Sequence, residues 1–229
     1  MCASEKKSAG PDAGPSRVWI IEDHLSIRQL LESFLGLLPG FTVAGSSPDA
    51  EPAVAAAKRG EADLIILDLM IRGDGGIAAL HRLNGLPRAP RVLIYSATAT
   101  THSLQLSLAH GAAGYVEKSD SLDELRLALN RIRGGGMHFS PGPSRLLAAV
   151  LRTPDRSRKR TEDAELQVLE KLARGHTIKG TAHDLGLSTQ KVYRLRQTLM
   201  ERAKARTSQD LTRYAIEVGL VGAHREDVG

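Results

Sequence analysis

The chain has 229 residues, enough for two modest cores, a formal net charge of +5 and only 3% aromatic residues, so its cores must rest on Leu, Ile, Val and Ala. A single cysteine, Cys2, excludes an internal disulfide and suits a reducing compartment; no apolar signal region precedes it. No apolar run reaches the length of a membrane span, so the expectation is a cytoplasmic protein without a membrane partner.

Residues 1–16, rich in Ser, Gly, Pro, Lys and Glu, predict a disordered tail. From residue 17 to 133, short apolar runs (Val18–Ile21, Leu64–Leu67, Val92–Tyr95 and Gly114–Val116) are separated by stretches of helical periodicity. That alternation predicts buried parallel strands joined by crossover helices, a doubly wound α/β sheet. In such a sheet ligands sit outside the carboxyl ends of the strands. The runs lead into Glu22-Asp23, Asp68, Ser96 and Lys118, which places three carboxylates, a hydroxyl and an ammonium around one crevice.

Those residue types read as a magnesium-dependent phosphoacceptor site. Carboxylates and a backbone carbonyl suit a small, hard, octahedral Mg²⁺. Glu22 and Asp23, side by side, repel each other unless a cation lies between them. Asp68 serves as a metal ligand and, through its other oxygen, as a nucleophile toward a phosphoryl group. Phosphoryl transfer is mostly positioning and charge neutralisation, the task of the metal and Lys118, and Ser96 donates a hydrogen bond to the acyl phosphate.

Charge and composition shift after residue 133. Residues 17–133 carry 12 basic against 13 acidic side chains, a net of −1, whereas residues 152–229 carry 16 against 11, a net of +5. Gly134-Gly-Gly136, Ser140-Pro-Gly-Pro-Ser144, a short apolar helix over 145–151 and the basic run 156–160 make 134–160 an interdomain connector. Four short helices are then predicted: 162–174 (apolar positions Leu166, Leu169 and Leu172), about 178–185, 189 to about 205 with Ser188 as N-cap, and 208–218. Ala182, Gly186 and Val192, at offsets of 4 and 10, form a helix-turn-helix pattern: a small residue where the helices cross, a glycine in the turn and a branched residue sealing the second helix. The helix from Thr189 then enters a major groove. Val192, Leu195 and Leu199 form its inward stripe, and the candidate DNA-contacting residues are Lys179, Ser188, Lys191, Tyr193, Arg194, Arg196 and Gln197. Arg194 suits guanine and Gln197 adenine, whereas Lys179, Lys191 and Arg196 suit phosphates.

Residues 17–133 resemble a response-regulator receiver domain through Ile-Ile-Glu22-Asp23-His24, Leu-Ile-Ile-Leu-Asp68-Leu-Met, Ile-Tyr-Ser96-Ala and Gly111-Ala-Ala-Gly-Tyr115-Val-Glu-Lys118, with intervals of 28 from Asp68 to Ser96 and 22 from Ser96 to Lys118. Residues 161–220 resemble a LuxR-type helix-turn-helix domain, with 221–229 as a tail, and the whole chain resembles the NarL/FixJ family. The resemblance implies a five-stranded, flavodoxin-like receiver followed by a small all-α four-helix domain. It implies phosphorylation of Asp68 by a sensor histidine kinase. It further implies Mg²⁺ held by Glu22, Asp23, Asp68 and the Met70 carbonyl, a switch pair of Ser96 and Tyr115 in which the tyrosine turns inward, and an active homodimer on double-stranded operator DNA. The protein is then a transcriptional regulator rather than an enzyme.

The chain departs from the family where a Met-Pro pair is usual, reading Ile71-Arg72 before Gly73-Asp-Gly-Gly76; the loop loses a rigid turn and gains three glycines. It also departs at Gly180-Thr181, Lys191, Leu195 and Arg202-Ala203, where Gly180 weakens its helix by about 1 kcal/mol relative to Ala. Two other classes stand beside this reading. A haloacid-dehalogenase-type phosphatase needs a second acid where this chain has Met70. A phosphorylation-independent or protein-binding regulator would show a weaker salt dependence than DNA binding does.

Overall fold

The computed structural model describes residues 14–151 and 156–222, the side chains of 150–163 excepted. Residues 1–13 of the predicted N-terminal tail, 223–229 of the predicted C-terminal tail and the side chains of the basic run 156–160 lie outside the described residues.

Strands and helices alternate as the apolar runs require: β1 (Ser16–Ile21), α1 (Leu25–Gly36), β2 (Phe41–Ser47), α2 (Ala50–Lys58), β3 (Leu64–Leu67), α3 (Gly76–Asn84), β4 (Arg91–Ser96), α4 (Thr101–Ala109), β5 (Gly114–Glu117) and α5 (Leu122–Arg133). Every pairing is parallel and the order is β2-β1-β3-β4-β5-β6. The expected five strands are thus joined by a sixth, the two-residue β6 (His138–Phe139), which pairs with β5 at Gly114 and Tyr115. It has no apolar run of its own; His138, wedged against Glu124 at 2.7 Å, anchors it. Leu31, Leu35, Leu125, Leu129 and Ile132 pack α1 and α5 on one face of the sheet. The cluster on the other face takes in Val54, Leu80 and Leu104, from α2, α3 and α4.

Beyond β6 the chain is helical: α6 (Pro141–Leu151), α7 (Arg156–Ala173), α8 (Ile178–Asp184), α9 (Thr189–Arg202) and α10 (Ser208–Glu217). The backbone of α7 starts at Arg156, six residues before the helix expected from 162, so residues 134–160 contain β6, α6 and the first turn of α7. Within α7, Val168 and Leu169 are fully buried while Leu166 and Leu172 are partly so. The helix α9 ends before the expected residue 205 because Lys204 takes a left-handed φ of 51° and breaks the ladder. Gly219, with φ 73°, terminates α10 in a Schellman motif: Gly219 N–H donates to the Ile216 carbonyl and Leu220 N–H to that of Ala215. Among the described residues no helix is long and apolar enough to cross a membrane.

The helical part docks on the α3–α4 side of the sheet, and its core residues Val168, Val192, Leu199 and Leu211 belong to the same apolar cluster as Leu80 and Leu104. The docking includes a main-chain hydrogen bond and a ring contact. Ile77 N–H at the start of α3 donates to the Gly219 carbonyl at 3.0 Å. On α4, His102 stacks on Tyr214 of α10 with ring centroids 6.0 Å apart and an interplanar angle of 23°.

Two predictions follow from this packing. The β1–β2 register shifts between Val18 and Trp19, and a Cβ at Gly45 would lie 2.6 Å from the Trp19 ring, whose Nε1 donates to Ser47 Oγ at 3.1 Å. Gly45→Ala should therefore destabilise the sheet by about 1–3 kcal/mol, read in a denaturant titration followed by fluorescence of Trp19, the chain's one tryptophan. At the docking contact, burial and then the Arg202 charge depress the His102 pKa from 6.5 to about 4. A group depressed in this way favours the folded state above pH 6.5, and that advantage is lost as pH falls toward 4. The wild type should lose about 2 kcal/mol between pH 7 and pH 5 that His102→Phe does not lose, measured by unfolding at the two pH values.

Candidate functional site

The sheet register builds the site. Asp68 N–H donates to the Ile21 carbonyl (3.0 Å), Glu22 N–H to that of Ser47 (3.0 Å) and Lys118 N–H to that of Ser96 (2.8 Å). These main-chain bonds continue the ladders one residue past the ends of β1, β3 and β5, so the strand that supplies each side chain also fixes it. Glu22, Asp68 and Ser96 are buried, whereas Asp23 is partly exposed. Lys118, 14% exposed, sets its Nζ 2.7 Å from Glu22 Oε2 and 2.8 Å from Asp68 Oδ2. Burial alone favours the neutral amine, but Asp68 and then Glu22 outweigh it and raise the Lys118 pKa above its ordinary value. One cation therefore serves two buried carboxylates, and Asp23 lies beside them.

Ligand atoms of Glu22, Asp23, His24 and Asp68 all lie within 4.8 Å of one another. Glu22 Oε2 and Asp23 Oδ1 are both buried; Lys118 Nζ lies 2.7 Å from the first and His24 Nδ1 2.9 Å from the second. Asp68 Oδ1 accepts from Met70 N–H at 3.1 Å, which ties the carboxylate to the loop that follows β3. Arg72, on that loop and largely exposed, brings Nε to 3.9 Å from Asp23 Oδ2.

Ser96 ends β4 and pairs with Glu117 of β5, next to Lys118. Tyr115 points inward and is fully buried; its hydroxyl donates to the Thr98 carbonyl at 3.1 Å and shares a 3.3 Å hydrogen bond with Ser103. Burial pushes its phenol pKa up to about 12, against the lowering effect of its bonds to Ser103 and Ser96. The inward position expected after switching is thus the one the structure holds. Sequence reasoning missed the residues that fix it there, Thr98 and Ser103. It also missed Glu117, which accepts from Ala99 N–H at 2.8 Å, and Arg28, which donates to the Glu22 carbonyl at 2.5 Å. The Thr100–Ser103 capping box was the readable signal for Ser103; nothing in local pattern marks Thr98 or Arg28.

The C-terminal candidates lie on one solvent-facing unit. Thr177 caps α8 and Ser188 caps α9, and Gly186 makes the turn between them with φ 62°. Val192, Leu195 and Leu199 are buried as the inward stripe, with Ala182 at the crossing. Lys179, Ser188, Lys191, Tyr193, Arg194 and Gln197 are exposed, while Arg196 is half-buried and reaches Ser208 Oγ at 3.4 Å. This face stays open to solvent while α10 is docked on α3 and α4.

Removing the shared cation tests the electrostatics. Lys118→Met leaves Glu22 and Asp68 buried without their counter-charge and should cost about 3–5 kcal/mol. Adding Glu22→Gln to that variant should recover part of the loss; both are read as denaturation midpoints.

Residues 18–130 match the response regulator receiver domain family. The chain is 30% identical over 196 residues to the transcriptional regulatory protein UhpA of Escherichia coli (strain K12), covering 86% of this chain and 95% of UhpA. It is 29% identical to the nitrate/nitrite response regulator protein NarL of the same strain, covering 78% and 86% of the two chains. Among solved structures, a two-component response regulator of the LuxR family from Aurantimonas sp. SI85-9A1 superposes with a TM-score of 0.58 at 26% identity, over 61% of this chain and all of that one. RcsB in a structure of two dimers bound to two parallel DNAs shares the fold, with a TM-score of 0.61 at 20% identity over 90% of this chain and all of RcsB. By the receiver-family match and the identity to UhpA over most of both chains, the chain belongs to the NarL/LuxR family of two-component response regulators, which are transcriptional regulators.

Proposed function

We propose that a sensor histidine kinase phosphorylates Asp68 and that this modification controls sequence-specific binding of the C-terminal helix-turn-helix to double-stranded promoter DNA, in the cytoplasm and as a homodimer. The observation that carries the reading is Lys118, whose ammonium lies within 2.8 Å of both Asp68 and Glu22 in a cluster of acids at the strand ends. Residues 17–133 act as receiver, 134–160 as connector and 161–220 as DNA-binding domain, although Ser16 of the expected N-terminal tail already lies in β1 and Val221 of the expected C-terminal tail is buried in the core.

The donor set fits Mg²⁺, which prefers hard oxygen ligands, and ligand atoms of Glu22, Asp23 and Asp68 lie within 4.8 Å of one another. Glu22, Asp23, Asp68 and the Met70 carbonyl would hold the ion, which when bound neutralises charge on phosphoryl oxygens. The Asp68 carboxylate attacks phosphorus, an O–P bond forms, and the P–N bond to the kinase histidine breaks with its electron pair left on the imidazole nitrogen. Lys118 shifts from carboxylate to phosphoryl oxygen, Ser96 donates its hydroxyl to the acyl phosphate, and Tyr115 holds the inward position beside it. On DNA, Arg194 and Gln197 meet base edges, while Lys179, Ser188, Lys191, Tyr193 and Arg196 flank the groove and contact backbone. A dimer places two such helices on paired half-sites, since operator symmetry mirrors protein symmetry.

The test is binding of the purified protein to genomic fragments with and without Mg²⁺ and a small phosphodonor. Wild type should gain sequence-selective affinity on phosphodonor treatment, and Asp68→Ala should not. An equal gain in Asp68→Ala would overturn the phosphoswitch, and selective binding indifferent to phosphodonor in both proteins would leave a transcription factor that does not use Asp68.

A further inference from the structure

The departure from the family after Asp68 puts a charged side chain where a proline would carry none, and the structure brings that side chain to the acids. Ile71 is 1% exposed and packs in the apolar cluster with Leu69, Ile77 and Leu80, so the chain is anchored immediately before Arg72. Gly73, with φ 85°, turns it immediately after. Between these two constraints the Arg72 side chain, 62% exposed, sets Nε 3.9 Å from Asp23 Oδ2.

Every carboxylate oxygen of the cluster then faces a group of the chain itself. Glu22 Oε1 accepts from His24 N–H at 3.1 Å, and Oε2 lies 2.7 Å from Lys118 Nζ. Asp68 Oδ2 lies 2.8 Å from the same ammonium, and Oδ1 accepts from Met70 N–H at 3.1 Å. Asp23 Oδ1 lies 2.9 Å from His24 Nδ1, which leaves Oδ2 to Arg72. The two permanent cations differ in kind. Lys118, 14% exposed, is enclosed by the acids it serves and cannot leave without stranding them. Arg72 is long, exposed and beyond hydrogen-bond length, so it contributes charge rather than a fixed bond and gives way at small cost. A divalent ion entering the cluster displaces the second cation, not the first.

We infer that Arg72 is a tethered counter-cation of Asp23 that competes with Mg²⁺ for the acid cluster and so raises the Mg²⁺ concentration at which the phosphoacceptor site is loaded. The inference rests on the Mg²⁺ reading of Glu22, Asp23 and Asp68 given above. Within it Arg72 is a positioning residue, acting through Asp23 and not on phosphorus. Removing its charge deepens the negative potential at Asp23 and tightens the ion. Because an exposed pair at 3.9 Å is partly screened, the gain is modest, about 2- to 5-fold in the Mg²⁺ dissociation constant.

Mg²⁺ titrations of the full-length protein, followed by the amide NMR shifts of Asp23 and Met70, test this. Arg72→Gln removes the charge and keeps a polar side chain at an exposed position where the fold tolerates change; Arg72→Lys keeps the charge. Arg88→Gln removes the same charge from an exposed site ahead of β4, at the opposite edge of the sheet. Arg72→Gln should bind Mg²⁺ about 2- to 5-fold more tightly than wild type, while Arg72→Lys and Arg88→Gln stay at the wild-type value. The gap between Arg72→Gln and wild type should narrow as salt rises from about 0.01 M to about 1 M, where the screening length falls from about 30 Å to about 3 Å. An unchanged or weaker Mg²⁺ affinity in Arg72→Gln would overturn the competition. A gain shared by Arg72→Lys, or one that salt does not diminish, would overturn it too, since the cause would be the loop's shape and not its charge. An equal gain in Arg88→Gln would assign the effect to net charge and remove Arg72 from it. Absence of any Mg²⁺-dependent shift in both wild type and Arg72→Gln would sink the Mg²⁺ reading itself, and the inference with it.

Discussion

Two buried carboxylates share one ammonium at the carboxyl edge of the sheet, and much of the receiver is arranged around that imbalance. Glu22 and Asp68 both lie against Lys118, and Asp23 adds a third acid with a single partly exposed side to water. Ion pairs in such surroundings gain little net stability, since desolvation offsets attraction. What holds the acids together is therefore not their mutual energetics but the ladders behind them: Asp68 on Ile21, Glu22 on Ser47, Lys118 on Ser96. The apolar clusters on the two faces of the sheet, with Ile20, Ile65, Ile66 and Leu93 in its interior, keep those ladders dry and rigid. The site thus gathers more negative than positive charge and is held in place by its backbone.

The parts of this arrangement that follow from local pattern were legible in the sequence. Short apolar runs bounded by charge or hydroxyl marked β1, β3, β4 and β5, and a site residue stood directly after the first three and two positions after the last, because a parallel sheet presents its carboxyl ends together. β2 was harder, since its residues are largely exposed and lack a continuous run. The inward stripe of α9 and its Ser188 cap were readable from spacing alone. Contacts between segments distant in the chain were not. A carbonyl at Gly219 capping α3, or a tyrosine at 214 stacking on a histidine at 102, leaves no trace in the periodicity of either segment. The glycines of 73–76 showed only permissiveness; their packing against 219–222 appears once both segments are in space.

That distinction changes what the loop's departure from the family means. A proline after the phosphoacceptor stiffens the chain by removing φ freedom. Here the stiffness is supplied from outside, by burying Ile71 and by docking a second backbone against Gly75 and Gly219. The two devices differ in one respect. A proline constrains the loop in every state of the protein, whereas a docked segment constrains it only while docked. A loop ordered by the C-terminal domain is thereby a loop whose order depends on where that domain is.

Tyr115 sharpens the point. An inward tyrosine is the arrangement that the resemblance assigns to the switched receiver, yet in this chain the ring is fully buried, with its hydroxyl bonded to Thr98 and Ser103. Turning it outward would expose a large apolar ring and break two hydrogen bonds, and buried polar groups left unpaired cost about 1–3 kcal/mol each. Burial and these two hydrogen bonds hold the ring at its inward end in this structure. The β3–α3 loop is held differently: Asp68 Oδ1 accepts the Met70 N–H, the Leu69 carbonyl takes the Gly76 N–H, the Gly219 carbonyl takes the Ile77 N–H, and three of its residues are glycine. Of these two elements, the loop is the one bonded directly to Asp68, and it is the one against which the end of α10 is packed.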